Sequence, residues 1–211
     1  ANNTNPTTSE FPDTEPQTCN DIPDSSLVPL VANPPPQNAT QFILNITYGP
    51  NADGRGIFFM NGNSFQPNFS NSTLNQLTSG VSPQSLPANQ NIISYDTANA
   101  GIELVFINNI RDIHPFHLHG HSFYVVGRGN GTTPNPSTYN LVNPPYRDTV
   151  TIPPTGWLAI RFVADNPGVW VVHCHIEWHV EMGMVVTLVE RLNELKQLPI
   201  PDSVKQLCRA S

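Results

Sequence analysis

The 211-residue chain carries 16 acidic and 9 basic side chains, giving a net charge of −7, and only 12% of its residues are charged. An acidic balance with no basic run excludes a nucleic-acid-binding surface. No apolar stretch reaches the roughly 18 residues of a membrane-spanning helix, so no membrane partner is expected.

Residues 1–40 open with ANNTNPTTSEFPDTEPQT and end in PPPQN, which reads as a linker and extended N-terminal segment. The chain begins with neither a methionine nor a leader, as expected of a processed chain or a fragment. Short alternating apolar runs follow, each bounded by Gly, Pro or Asn. They are QFILNITYG (41–49), GIFFMNGNSF (56–65), NIISYD (91–96), IELVFINN (102–109), HSFYVVGRG (121–129), RDTVTIPP (147–154), WLAIRFVAD (157–165), GVWVVHCH (168–175) and MVVTLVE (184–190). Strand signals at this spacing predict an all-β sandwich or barrel over 41–190. Helical pattern is scarce. IEWHVEMG suits a turn or two of helix between strands, and NELKQL and PDSVKQLC predict a helical tail over 191–211.

Six N-x-S/T sequons, at Asn2, Asn38, Asn45, Asn68, Asn71 and Asn130, are candidate glycosylation sites and point to a secreted, extracellular eukaryotic protein. The cysteines are Cys19, Cys174 and Cys208, an odd number. If Cys174 binds metal, Cys19 and Cys208 either pair with each other or reach cysteines of another chain.

All seven histidines fall in two clusters: His114, His117, His119 and His121 in HPFHLHGH, and His173, His175 and His179 in HCHIEWH. Isolated structural histidines would be scattered; this distribution calls for metal. On the strand GVWVVHCH successive side chains point to opposite faces. Cys174 therefore points one way, and His173 and His175 the other, which implies two metal sites joined through one cysteine. Cys174, His179 and His114, with Met184 as a weak axial donor, make the blue-copper donor set. Zinc is the competitor, but structural zinc sites favour a paired Cys-x₂-Cys spacing that is missing here. On the other side His117, His119, His173 and His175 converge into an all-imidazole environment that suits copper with positions open to oxygen. His121 faces away from this pattern and is expected to support a neighbouring ligand. Glu177 and Glu181 flank His179 and are candidates to hydrogen-bond ligands or relay protons, although solvated helix-turn acids are the commoner case. Met182 is expected to pack, and Asp112 to sit in a turn.

At these two clusters the chain resembles the multicopper oxidases, fungal laccases above all. HPFHLHGH and HCHIEWHVEMGM are similar to the last two of that family's four copper-binding segments, and FFMNGNSF, NPPYRDTV and RFVADNPGVWVVHCH look like its third domain. The resemblance covers about residues 20–208. It implies a cupredoxin-like Greek-key fold, with type 1 copper on His114, Cys174, His179 and axial Met184. It further implies type 2 copper on His117 and type 3 copper on His119, His173 and His175. Family members use eight histidines at the trinuclear cluster. Only four are here, so the cluster would be shared with a second polypeptide carrying cupredoxin domains 1 and 2, tied to this chain through Cys208 or Cys19 if a disulfide links them. The implied activity is oxidation of small phenolic or aromatic-amine substrates coupled to reduction of O₂ to water, with Cys174, His179, His173 and His175 on the electron path. A ferroxidase is the rival within the family. A single-copper electron carrier is the rival outside it, and would leave four histidines unexplained.

Overall fold

The computed structural model describes residues 22–206. Asn2, Cys19, Cys208 and the two chain ends therefore lie outside the described residues. Within them, strands β1 (Thr40–Pro50), β2 (Gly56–Met60), β4 (Gly101–Asn108), β9 (Gly156–Val163), β6 (Phe123–Asn130) and β7 (Tyr146–Arg147) form one sheet, in the order β2-β1-β4-β9-β6-β7. The second sheet holds β3 (Ile92–Tyr95), β11 (Val185–Glu190), β10 (Gly168–Cys174), β5 (His114–Leu118) and β8 (Thr149–Ile152), in the order β3-β11-β10-β5-β8. The β1–β4 and β3–β11 pairs are parallel and the rest antiparallel. The two curled sheets close on one core, as the alternating pattern predicts of a sandwich or barrel and the family resemblance of a cupredoxin-like fold. Phe106, Phe116, Phe123 and Phe162 are among its largest fully buried side chains. Burying each contributes about 1.5–3 kcal/mol.

Several boundaries differ from the sequence reading, each for a local reason. The run 56–65 stops at Met60 because Asn61 (φ 51°) and Gly62 (φ 83°) turn the chain, and the Met60 N–H donates to the Asn63 carbonyl at 2.8 Å. Asn-Gly is the preferred pair for such a turn. The run 147–154 is split at Asp148: Tyr146–Arg147 pairs with β6 in one sheet and Thr149–Ile152 with β5 in the other. One strand thus changes sheets, a known way of making a sandwich corner. A helix not expected from the sequence, α1 (Thr73–Thr78), is capped by Ser72, whose Oγ accepts from the Asn75 N–H at 3.2 Å. Three further short α-helices occur among the described residues: α2 (Glu177–Glu181), α3 (Leu192–Leu195) and α4 (Asp202–Gln206).

Residues 22–39, expected to be part of a linker, are fastened to the first sheet. Arg128 grips Asp24 through two hydrogen bonds of 2.7 and 2.9 Å, and Arg161 Nη1 donates to the Pro36 and Gln37 carbonyls at 2.8 and 3.0 Å. The Arg161 guanidinium thus satisfies two backbone carbonyls of this proline-rich segment, while Arg128 pairs with the Asp24 carboxylate. Arg161 also pairs with the buried Glu103 at 2.6 Å, which supplies that carboxylate with its counter-charge. Asn38, Asn45, Asn68, Asn71 and Asn130 are exposed. No helix among the described residues is long and apolar enough to cross a membrane.

Candidate metal centre

The central strand pair of the second sheet sorts the histidines. On β5 the burial alternates, with His114, Phe116 and Leu118 facing the core and His117 facing out. On β10 Cys174 faces the core and His173 faces out. The register places His173 directly opposite His117, and Cys174 opposite Phe116. His119 continues the outer row, its N–H donating to the Val171 carbonyl at 3.0 Å. One residue of alternation on each strand therefore creates two separate groups of donors.

On the inner side, Cys174 Sγ lies 3.4 Å from His179 Nδ1 and 3.8 Å from His114 Nδ1, and the two imidazole nitrogens are 3.2 Å apart. His179 reaches this point from α2, the short helix that turns the chain back from β10 into β11. Cys174 and His114 are fully buried. Burial, then the neighbouring His179, lowers the His114 pKa to about 4, against a weaker opposing pull from Asp112. Burial likewise lowers that of His179. Both rings are thus neutral near pH 7 and present free lone pairs. Burial raises the Cys174 thiol to about 11, so a bound cation is needed to hold it as thiolate. Met184 is fully buried in the same core cluster. It follows the β10–β11 register one step beyond His173↔Val185, opposite Cys174. Phe58, which the sequence reading did not single out, packs on both rings, 4.7 Å from His179 and 5.7 Å from His114 between centroids. Its only sequence signal is the paired aromatic of FFMNG.

The outer group is more open. His119 Nε2 and His173 Nε2 are 3.1 Å apart. Ring centroids of His117, His119, His173 and His175 lie 5.0 to 5.9 Å from their neighbours. The His117 Nδ1–H donates to the Asp148 carbonyl at 2.8 Å and the His173 Nδ1–H to the Cys174 carbonyl at 2.9 Å, which leaves each Nε2 free to ligate. Burial, then neighbouring histidines, lowers the His119 pKa; burial lowers that of His173 against its backbone hydrogen bond.

The remaining candidates stand apart. His121 is buried beside Glu190 rather than on the outer row, because Gly120 (φ 76°) breaks the alternation. Glu177 is exposed, 4.0 Å from His175 Nδ1, and Glu181 is exposed. Asp112 is exposed and Met182 packs against the core.

Two imidazole nitrogens and a cysteine sulfur converging in a buried pocket, with Met184 opposite the cysteine, fit copper. Together with the two curled sheets they define a cupredoxin-fold domain whose His-Cys-His group is consistent with a type 1 copper site. Comparison with known proteins agrees. The multicopper oxidase sequence profile matches residues 60–194. Laccase-21 of Oryza sativa subsp. japonica is 40% identical over 158 residues, covering 72% of this chain and 26% of that protein. L-ascorbate oxidase of Cucurbita maxima is 56% identical over 93 residues, covering 43% of this chain and 16% of that protein. The crystal structure of laccase from Botrytis aclada superposes with a TM-score of 0.80 at 28% identity, over 99% of this chain and 38% of that one. The chain belongs to the multicopper oxidase family, whose members are copper oxidoreductases, and corresponds to a C-terminal domain of them. It spans about a fifth of the length of the curated relatives it matches.

Proposed function

We propose that this chain is the C-terminal cupredoxin part of a secreted, laccase-type oxidase, in which His114, Cys174, His179 and Met184 hold type 1 copper. In this reading His117 serves a type 2 copper and His119, His173 and His175 a type 3 pair. The remaining imidazoles come from a polypeptide carrying the first two cupredoxin domains. The observation that carries the reading is the placement of Cys174 between two outward histidines, so that one tripeptide serves both donor groups. Bound copper would supply one-electron acceptance at the inner group and reduction of O₂ to water at the outer one.

The chain's own contribution is orientation and insulation. The half-buried His179 ring is the inner ligand nearest the surface, beside the exposed Trp178, and offers small aromatic reductants an edge to approach. Phe58 and the core keep water from the Cys174 sulfur. The path from that sulfur to the outer group runs through the Cys174 backbone, and is shortened by the 2.9 Å hydrogen bond from His173 Nδ1 to the Cys174 carbonyl. The exposed asparagines of five sequons support a secreted glycoprotein.

A second reading, an ascorbate oxidase, is favoured by the 56% identity to the Cucurbita maxima enzyme. Steady-state turnover of the assembled oxidase with a phenol, an aromatic amine, ascorbate and Fe(II) separates the readings. We expect the highest kcat/KM with a phenol; preference for ascorbate selects the second reading, and preference for Fe(II) rejects both.

A further inference from the structure

A buried carboxylate lies outside the donor groups. Glu190 ends β11 with no exposed surface. Its Oε1 accepts from the Asn166 N–H at 2.7 Å, and its Oε2 from the His121 Nε2–H at 2.7 Å and the Tyr95 hydroxyl at 3.2 Å. A buried carboxylate is costly unless hydrogen bonds surround it. Asn166 lies in the loop before β10, His121 in the loop after β5, just past the outer histidine row, and Tyr95 closes β3.

The turn after His119 is held from this carboxylate outward. Asn166, fixed by Glu190 through its N–H, donates its side-chain Nδ2 to the Gly120 carbonyl at 2.8 Å. The Asn166 carbonyl accepts from Trp170 Nε1 at 2.8 Å. That indole lies under Gly120 so closely that a Cβ there would sit 2.4 Å from Trp170 Cδ2. On the far side of Gly120, His121 is bonded to Glu190 itself. The contrast with the other outer rings is informative. His117 and His173 are each oriented by an Nδ1 hydrogen bond to a carbonyl. Among the described residues the His119 ring has no such bond: it packs beside the His117 and His173 rings, with its Nε2 3.1 Å from His173 Nε2, so its place leans on where its backbone is held.

We propose that Glu190 is a positioning residue: through Asn166 and His121 it fixes the Gly120 turn, and with it the place of the His119 imidazole. The inference rests on the assignment of His119 as a type 3 ligand. Partners that orient metal ligands typically change metal affinity on the order of tenfold or more when removed.

The test uses the complete oxidase carrying this chain. Glu190→Gln keeps size but offers a donor where His121 and Tyr95 require an acceptor. Copper is withdrawn with increasing chelator while the blue type 1 band and the copper silent in electron paramagnetic resonance, the mark of a coupled pair, are followed together. We expect the silent copper to leave at about tenfold lower chelator with the blue band retained. A general loss of stability would move both signals together. Equal withdrawal curves for variant and parent overturn the proposal, and so does parallel loss of both signals. Should Glu190→Gln not accumulate folded, Asn166→Ala removes the amide clamp on Gly120 while leaving the carboxylate its N–H donor, and is judged by the same two curves. His119→Ala is the control. If it leaves the silent copper intact, the ligand assignment fails and takes this inference with it; if it removes that copper and Glu190→Gln does not, positioning alone fails.

Discussion

Cys174 and Met184 face each other one step beyond the last β10–β11 rung, His173↔Val185, the Cys174 N–H donating to the Met184 carbonyl at 3.3 Å. Residues so opposed carry their side chains on the same face, the placement an axial thioether would need. A thioether donor there favours Cu(II) and lowers the potential. Met184→Leu nearly conserves volume, so its packing cost should stay below about 1.5 kcal/mol. We expect the type 1 potential to rise by about 59 mV, the value of a tenfold shift in a one-electron equilibrium. Redox titration of the blue band in both proteins measures it, and an unchanged or lower potential would make Met184 a core residue only.

Replacing the cysteine itself tests the electron path. Cys174→Ser removes the thiolate but leaves the outer histidines, which point to the opposite face, in place. The intense blue thiolate-to-copper absorption should vanish and turnover should stop, while copper at the outer group is retained. Appreciable substrate oxidation by this variant would place the electron path elsewhere.

How much of this was legible in the sequence depended on period. Two-residue alternation in HPFHLHGH and VVHCH was enough to separate the inner from the outer donors, because strands sort neighbours by face without reference to the rest of the fold. His121, which the sequence reading set apart from the outer row, leaves that row at Gly120, whose positive φ resets the alternation. Glu190, Asn166 and Tyr95 were invisible as a group, since they lie on three segments that only the closed sheets bring together. In hindsight a glutamate closing the apolar run MVVTLVE was a signal, as carboxylates are rarely buried without partners. Helix α1 was missed because its stretch STLNQLT is polar and short, and a cap defines it more than any apolar face.

Gly183 separates Met182 from Met184 at φ 96°, and its carbonyl accepts from the Phe65 N–H at 3.1 Å. A Cβ at this position would lie 1.9 Å from Ser64 Oγ and 3.0 Å from Phe65 N. Gly183→Ala therefore combines a left-handed backbone penalty of about 1–2 kcal/mol with a steric push on the 64–65 loop. For a domain of this size each kcal/mol lowers Tm by about 2–4 °C. We expect a lower Tm and, because Met184 shifts with its neighbour, an altered blue band. A variant with the parent's Tm and spectrum would show that the loop yields freely.

The two donor groups should also differ in what they bind without a partner. Among the described residues, His114, Cys174 and His179 alone have ligand atoms all within 4.8 Å of one another. That pocket is closed by this chain's own core, and all three of these residues come from one domain. The outer rings are spread more widely and stand at the surface, His119 and His175 being exposed. In the proposed reading these four imidazoles are half of a trinuclear cluster, so ions placed there would lack much of their coordination. The isolated chain, loaded and then dialysed, should keep about one copper, with the blue band of a thiolate site. Adding a polypeptide with the first two cupredoxin domains should raise this to about four and bring oxygen consumption with it. Metal analysis alongside the absorption spectrum decides the matter. Three additional coppers at full occupancy in the isolated chain would mean that its own histidines complete the cluster, and that no second polypeptide shares it.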